Sequence, residues 1–345
     1  MTRPTIQDLA LAAGVSVSTV DRVLSGRNPV RQATAERVMQ AAEEIGFYAT
    51  NAIRHRLLAN KQKRRFGFLL LQRYRNFYRN TAESLLQAAR AYEDVSIQIE
   101  TIFMESLTPS AVAEQILALG NKVDALGLVA AEHPLVTRAL EQLRERGVPS
   151  FALVSSLSVE NGIGYIGLDN WKVGRTAAWA FANLCPQGGK IGIMLGSHRF
   201  RCQELNEIGF RSYFREHHSN FQLLEAMSSA ESKHLAAELV MDLLEREPDL
   251  TGLFITGGGI NGAMAALRDM GRAQDLVVVG YELMDETRIG LLDGTLNLVI
   301  SHPLPRMAEL TIQAMLAATA EGIDRSKVSL PSLKVPFEIY TPENL

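Results

Sequence analysis

From residue 66 onward, short apolar runs alternate with amphipathic helical patterns, and this alternation constrains the fold more than any other feature. Near-continuous apolar strands that are connected by helices form parallel sheets covered on both faces. About ten strands are more than a single doubly wound sheet usually contains. We therefore predict an α/β body of two doubly wound parallel αβα subdomains. The candidate strands are 66–71, 95–102, 125–130, 149–154, 164–168, 190–195, 221–227, 252–256, 276–281 and 296–301. The candidate helices are 81–92, 109–120, 134–146, 171–184, 202–217, 231–246, 260–270, 284–292 and 304–321.

The start of the chain has a different pattern, typical of a helix-turn-helix. Two apolar stripes at helical spacing are separated by Gly14, and Ser16 offers an N-cap oxygen to the second helix. A third amphipathic segment, 33–47, can close a three-helix head. Such helices also occur in ordinary helical cores, so the spacing alone leaves DNA binding and simple packing both open. The two stripes are Ile6, Leu9, Ala10, Ala13 and Val20, Val23, Leu24.

The charge distribution favours DNA binding by the head. The formal net charge of the chain is −3. Residues 1–65 carry eleven Lys and Arg against five Asp and Glu, a charge of +6, whereas the remainder carries 24 against 33, a charge of −9. A basic head on an acidic body fits electrostatic docking of the head alone on phosphates.

Composition argues against a membrane protein, a secreted protein and a metal-binding protein. No apolar run approaches the roughly 20 residues of a membrane span, and the first residues lack the apolar core of a signal peptide. The two cysteines, Cys185 and Cys202, lie in no metal-ligand spacing. We therefore expect a cytoplasmic protein with reduced thiols, no metal, no cofactor and no membrane partner.

Residues 49–65 are basic and weakly patterned, and they form either a solvated linker or a short helix. The patterns thus predict a head at 1–48, a hinge at 49–65 and a core at 66–345. Within the core we expect one lobe at about 66–163 and 296–325, and a second lobe at about 164–295 and 326–345.

Taken together, these features resemble the lactose-repressor/galactose-repressor family of bacterial transcription regulators. The segment TIQDLALAAGVSVSTVDRVLSG carries the most specific part of the resemblance, and YIGLDNWKVGRTAA is similar to a signature of the family's body. The resemblance implies a periplasmic-binding-protein-like body. It also implies a homodimer on a pseudo-palindromic double-stranded operator, with a sugar-like effector between two lobes.

The resemblance also implies which head residues contact DNA. It assigns the base contacts to Val17, Ser18, Asp21 and Arg22. It assigns the phosphate contacts to Thr5, Ser16, Thr19 and Thr34. The minor-groove hinge would use Asn51, Ile53, Arg54 and Leu57, with Leu57 as the wedge between base pairs. Asp21 departs from the family's usual serine, so we expect an unusual operator. Arg31 stands where a small N-cap residue is usual, so we expect a weaker cap on the third helix.

Candidate effector contacts lie in the loops that follow the strands, because ligands of parallel sheets bind at the carboxyl ends of the strands. Glu282 is the first choice, since a carboxylate there can accept two bonds from vicinal hydroxyls. Arg199 and Arg201 suggest an acidic or phosphorylated sugar. The full set is Arg75, Phe77, Tyr78, Glu132, Ser155, Asp169, Arg199, Arg201, Asn261, Glu282 and His302.

Residues 257–262 offer an alternative, because they match the G-x-G-x-x-G dinucleotide fingerprint and Glu282 follows at the ribose-binding spacing. A nicotinamide-dependent oxidoreductase is therefore the competing hypothesis. No catalytic constellation accompanies this motif, so we expect a repressor of carbohydrate uptake or catabolism genes that is not an enzyme. An activator or co-repressor-dependent regulator of the same family remains open.

Overall fold

The computed structural model describes residues 4–26, 30–53, 62–159, 162–217 and 220–345. The chain divides into two compact units. The head consists of residues 1–64 together with 92–97, and the body consists of 65–91 and 98–345.

The described part of the head contains the predicted helix-turn-helix and a third helix. Its core residues Leu9, Val20 and Val38 are fully buried, as the two stripes and the third amphipathic segment predict. Ile53 is fully buried in the same core, and residues 50–53 are helical. The helices are α1 (Ile6–Ala12), α2 (Val17–Ser25) and α3 (Gln32–Glu44).

Local hydrogen bonds define where the head helices begin and end. The Thr5 hydroxyl accepts from the Asp8 backbone N–H at 3.3 Å, and the Asp8 carboxylate accepts from the Thr5 N–H at 2.8 Å. This reciprocal capping box lowers the pKa of Asp8. Ser16 caps α2, as predicted, by accepting from Thr19 N–H at 3.2 Å. Arg31 provides no side-chain cap for α3, which confirms the expected weak start of that helix.

Two six-stranded sheets lie within the described residues of the body, except that β1 and β2 begin at residues 62–64 and 95–97 of the first unit. The first has β1 (Gln62–Leu70), β2 (Val95–Phe103), β3 (Ala125–Leu128), β4 (Ser150–Leu153), β5 (Ile163–Leu168) and β11 (Ser332–Val335), in the order β11-β5-β4-β3-β1-β2. The second has β6 (Gly189–Leu195), β7 (Phe221–Ser228), β8 (Leu250–Ile255), β9 (Val277–Tyr281), β10 (Leu298–Ser301) and β12 (Glu338–Tyr340), in the order β12-β10-β9-β8-β6-β7. Of the nine neighbouring pairs other than β1–β2, eight are parallel and β10–β12 is antiparallel, so the predicted pair of parallel subdomains is confirmed.

Helices alternate with these strands. They are α4 (Asn76–Arg90), α5 (Pro109–Gly120), α6 (Pro134–Glu145), α7 (Asn170–Leu184), α8 (Arg201–His217), α9 (Lys233–Arg246), α10 (Ile260–Asp269), α11 (Asp285–Leu292) and α12 (Leu304–Ala318). The helix α4 begins five residues earlier than the pattern at 81–92 predicted, so its first turn carries Phe77 and Tyr78 to the end of β1.

The predicted lobe boundaries are wrong at three places. The strand β5 pairs with β4 in the first sheet, not in the second lobe, and β10 pairs with β9 in the second sheet, not in the first lobe. The strand β11, predicted in the second lobe, pairs with β5 in the first sheet. The chain therefore crosses between lobes after β5, after β10 and between β11 and β12. A buried apolar strand carries no sequence mark of the neighbour with which it pairs, and this explains the error.

The predicted hinge boundary also changes. The strand β1 already begins at Gln62, and residues 50–53 belong to the head by the burial of Ile53. Arg54 and Leu57 lie outside the described residues. The assignment of Ile53 to the minor groove is corrected, because its fully buried side chain packs in the head core and presents no surface to DNA.

Candidate functional site: the head surface and the body cavity

The helix α2 presents the predicted base-contacting residues on one exposed face. Val17, Ser18, Asp21 and Arg22 are all exposed, and Val17 keeps 46% of its surface exposed although it is apolar. The Arg22 guanidinium donates to the Ser18 carbonyl at 3.2 Å and to the Thr19 hydroxyl at 3.3 Å, so it lies along the helix surface. This face has the size and polarity of a recognition helix.

The four predicted phosphate contacts are hydroxyl residues at the starts of the head helices. Thr5 and Ser16 are exposed, whereas Thr19 and Thr34 are partly exposed. Ser16 and Thr19 share a hydrogen bond of 2.8 Å at the start of α2, where a helix N-terminus attracts an anion. Asn51 is exposed, so of the described hinge candidates it alone keeps its predicted accessibility.

A cavity of about 200 Å³ lies in the body at the carboxyl ends of strands from both sheets. The structure brings six predicted effector residues to its wall, which are Arg75, Phe77, Tyr78, Ser155, Asn261 and Glu282. Their convergence follows from the parallel topology, since each lies just after a strand. Further lining residues that the sequence analysis did not select include Gln203, Glu231, Thr256 and Glu286.

Glu282 is held rigidly at the cavity wall. Its backbone φ is 68°, and its Oε1 lies 2.6 Å from His302 Nδ1. Its Oε2 accepts from the Ser301 hydroxyl and the His302 N–H, both at 3.2 Å. Three bonds to one carboxylate fix its orientation, as expected for a group that selects a ligand.

His302 occupies a different place from the predicted one. Its side chain is fully buried and does not line the cavity, and its ring packs against Phe77 and Tyr281 at centroid distances of 5.6 and 5.8 Å. His302 therefore acts behind Glu282 as a positioning residue. Its Nε2 has no hydrogen-bond partner within the described residues.

Arg75 and Glu231 form a charged pair across the cavity, from loops of opposite sheets. Arg75 Nη1 lies 2.5 Å from Glu231 Oε2, and the two side chains are only 15% and 7% exposed. Gln203 donates to the other carboxylate oxygen of Glu231 at 2.7 Å and accepts from the Gly196 N–H at 2.6 Å. Burial, followed by the negative charge of Glu231, raises the pKa of the lining residue Tyr78.

Four other predicted effector residues are absent from this wall. Arg201 donates to the Ser158 hydroxyl at 2.7 Å and lies 3.8 Å from Glu132 on the opposite lobe, so its charge bridges the lobes. Glu132 and Arg199 line a neighbouring cavity of about 210 Å³. Asp169 caps α7 at Lys172 N–H and pairs with Lys334 at 3.0 Å, which is a structural role. Arg201, Glu132 and Asp169 thus have side-chain partners within the protein, and Arg199 lines a different cavity, which corrects their assignment to this wall.

The glycine-rich motif forms part of the same cavity. Gly257 and Gly258 line the wall, and Gly259, with φ of 97°, precedes α10. A Cβ at Gly258 would lie 1.9 Å from a carboxylate oxygen of Glu231. The carboxylate therefore occupies the side of the turn where a dinucleotide would place its pyrophosphate, and this does not favour nucleotide binding.

Comparison with known proteins identifies both parts of the chain. Residues 5–51 match the model described as bacterial regulatory proteins, lacI family, and residues 66–322 match the model described as periplasmic binding protein domain. The chain belongs to the lacI family of bacterial regulatory proteins. This member thus combines the family's helix-turn-helix head with a periplasmic-binding-protein-like body, as the sequence resemblance predicted.

Individual relatives extend this likeness over nearly the whole of the lacI-family chain. Catabolite control protein A of Priestia megaterium is 25% identical and covers 95% of this chain and 96% of its own length. The transcriptional regulator GalS of Salmonella typhimurium is 24% identical, with coverages of 93% and 91%. A solute binding protein of Burkholderia graminis, solved in complex with D-arabinose, has a TM-score of 0.74 at 16% identity, covering 83% of this chain and 98% of its own. The last likeness concerns the fold.

Two further structural findings concern membrane spans and metal sites. Within the described ranges, no helix is long and apolar enough to cross a membrane. No group of three or more His, Cys, Asp or Glu in the same ranges could hold a metal ion.

Proposed function

We propose that this protein is a transcriptional repressor whose affinity for operator DNA is controlled by a small carbohydrate bound in the body cavity. The observation that carries the proposal is the combination of an exposed, polar recognition face on α2 with a cavity between two lobes, whose largely apolar wall carries a few carboxylates and amides. Family membership supports DNA-binding regulation, and the wall chemistry at Glu282 supports a hydroxylated ligand.

The cavity geometry supplies a route for control. Arg75 and Asn76 come from the first sheet's side, whereas Glu231 and Glu286 come from the second, and the pairs Arg75–Glu231 and Asn76–Glu286 join the two sides. A ligand that contacts both sides favours one arrangement of the lobes over another. In a homodimer this difference would change the spacing of the two heads, with a coupling free energy of typically about 1–3 kcal/mol.

The DNA-binding part is tested by selecting genomic fragments with the full-length protein and sequencing them. We expect a pseudo-palindromic site, because two heads related by a two-fold axis bind two half-sites. Arg22→Ala should relax the preference at one symmetric base pair, with a loss of roughly 1–3 kcal/mol of discrimination. The control is Arg90→Ala, which removes the same charge from an exposed position on α4 of the body. Unchanged base preference in the Arg22 variant would contradict the proposed readout.

The control of DNA binding is tested by measuring operator affinity with and without carbohydrates that raise the unfolding temperature. A true effector stabilises the protein by RT ln(1 + [L]/Kd). It changes the affinity for the operator by some factor, and the operator changes the affinity for the effector by the same factor. A ligand that stabilises the body but leaves operator affinity unchanged would contradict allosteric control.

A further inference from the structure

The walls of the cavity carry an excess of negative charge. Three carboxylates line it, from Glu231, Glu282 and Glu286, whereas its cationic lining residues are Arg75 and Lys233. Arg75 is already engaged, because its guanidinium binds both the carboxylate and the carbonyl of Glu231. Lys233 is exposed, and water screens its charge. A ligand inside the cavity therefore meets more negative than positive charge.

Glu286 contributes most directly to this excess. Both of its carboxylate oxygens accept from the Asn76 side-chain amide at 3.0 Å, which is a neutral donor. The charge of Glu286 thus has no cationic counterpart in these bonds, unlike that of Glu231. A second anion placed beside it would be repelled through a medium of low effective dielectric constant.

The unpaired polar atoms of the wall point to a ligand rich in donors. Thr256 Oγ1 and Asn261 Oδ1 are buried cavity-lining atoms without a partner within the described residues. Thr256 is fully buried. An amide oxygen can only accept, and carboxylate oxygens with free lone pairs can only accept as well. The Thr256 hydroxyl can both donate and accept, so a ligand hydroxyl satisfies either atom, whereas a carboxylate or phosphate leaves Asn261 Oδ1 without a donor.

The arginines that suggested an acidic sugar do not change this balance. Arg201 is held by Ser158 and Glu132, and Arg199 lines the neighbouring cavity. Aromatic side chains complete the wall and offer apolar faces to the C–H groups of a sugar ring. They are Tyr74, Phe77, Tyr78, Phe200 and Tyr281.

We propose that the cavity selects uncharged or ammonium-bearing polyhydroxylated ligands and excludes sugar acids and sugar phosphates. This inference rests on the proposed carbohydrate control and names the charge class of the ligand. The net carboxylate excess rejects the anion, and the unpaired acceptors bind the hydroxyl hydrogens. An amino sugar binds at least as tightly as its neutral parent, since its ammonium group gains attraction to Glu286.

The test uses matched series of sugars that differ in one substituent. Each contains the neutral sugar, its amino sugar, its uronate and its 6-phosphate, in the gluco, galacto and manno configurations, with D-arabinose, D-xylose and D-ribose added. Calorimetry on the full-length protein measures each affinity. We expect the uronate and phosphate of a bound series to be weaker than the neutral parent by about 100-fold or more, as like charges in close contact require.

The variant Glu286→Gln isolates the charge, because glutamine keeps the shape and an oxygen acceptor for Asn76. We expect the discrimination against the uronate to fall by about 10-fold, while the neutral parent changes by less than about 3-fold. The control Glu245→Gln removes the same charge from an exposed position on α9 and should leave the discrimination unchanged. Unfolding temperatures of the variants check that both remain folded.

Three results overturn the inference. In the first, a uronate or sugar phosphate binds more tightly than its neutral parent. In the second, no neutral or amino sugar of the set binds. In the third, the discrimination is unchanged in Glu286→Gln. Operator binding by the same samples separates the two proposals, because a failure of charge selection with DNA binding intact leaves the regulatory proposal standing.

Discussion

Replacing Ile53 by alanine should destabilise the head and leave the body folded. The side chain of Ile53 is fully buried among the core residues of α1, α2 and α3, together with Leu9, Val20 and Val38. Removing three carbon atoms from such a site loses their transfer free energy and leaves a cavity, because the surrounding helices relax only in part.

The expected magnitude follows from this burial. Ile→Ala substitutions in cores cost about 2–5 kcal/mol, and a unit of this size has a stability of only about 3–8 kcal/mol at 0.05–0.15 kcal/mol per residue. A loss of about 2 kcal/mol already raises the population of opened head roughly 30-fold. The head would therefore be largely or wholly unfolded at the upper end of this range, and operator binding would be lost with it.

Hydrogen–deuterium exchange on the full-length protein measures the effect separately in each unit. Peptides from α1 to α3 should exchange roughly 30-fold faster or more in Ile53→Ala, with body peptides unchanged. The control is Asn51→Ala, two positions earlier, where the exposed side chain should leave exchange unaltered. If operator affinity fell in Ile53→Ala while head exchange stayed at the wild-type rate, Ile53 would act by touching DNA, and its assignment to the core would be refuted.

Three further predictions concern particular contacts. Gly174→Ala should lower the free energy of unfolding, measured by urea denaturation, by about 1–3 kcal/mol or more, because a Cβ there would lie 1.9 Å from the backbone oxygen of Asn206 and push α7 away from α8. Cys202 should resist iodoacetamide at pH 8 in the folded protein and react in urea, as peptide mass spectrometry can measure, since burial raises the pKa of its thiol to about 12. The capping box holds the pKa of Asp8 below its usual value, so its contribution to head stability is present above the unfolded pKa and lost as the pH falls through the folded pKa. The acid sensitivity of head exchange should therefore decrease in Asp8→Ala, and an unaltered pH profile would contradict the role of the box.

Much of the candidate site could be predicted from strand ends. Tyr78, Ser155, Asn261 and Glu282 were predictable because each follows an apolar strand, and parallel strands bring their carboxyl ends to one edge of a sheet. Glu231 also follows a strand, β7, but it was not among the predicted effector residues. Its side chain reaches the cavity through a turn in which Ala230 and Glu231 have φ of 47° and 63°. These positive φ angles are uncommon for residues other than glycine, so the residue types Ala and Glu do not predict this turn.

The roles of several charged residues depended on partners far away in the chain. Arg201 was expected to bind ligand, but its neighbours Glu132 and Ser158 belong to the opposite lobe. Asp169 ends β5 as predicted, yet it pairs with Lys334, which lies 165 positions later. A strand-end position predicts that a side chain is near the cleft, and it does not predict which neighbour neutralises it.

The sequence by itself determined the features that depend on neighbours three or four residues apart. The caps at Thr5 and Ser16, the buried stripes of α1 and α2, and the alternation of strands and helices all follow from local hydrogen bonding and periodic burial. Together with the basic charge of the head and the family resemblance, these features were enough to predict a DNA-binding head and a two-lobed body.

The tertiary structure decided which sheet each strand joins, which side of the head Ile53 faces and what charge the cavity presents. The Arg75–Glu231 pair, for example, joins residues 156 positions apart, whereas Glu286 accepts its hydrogen bonds from the neutral amide of Asn76. Strand pairing and charge compensation are set by the free energy of long-range contacts, and no short sequence window contains both partners. The polarity of the ligand that this regulator binds is therefore a property of the folded body.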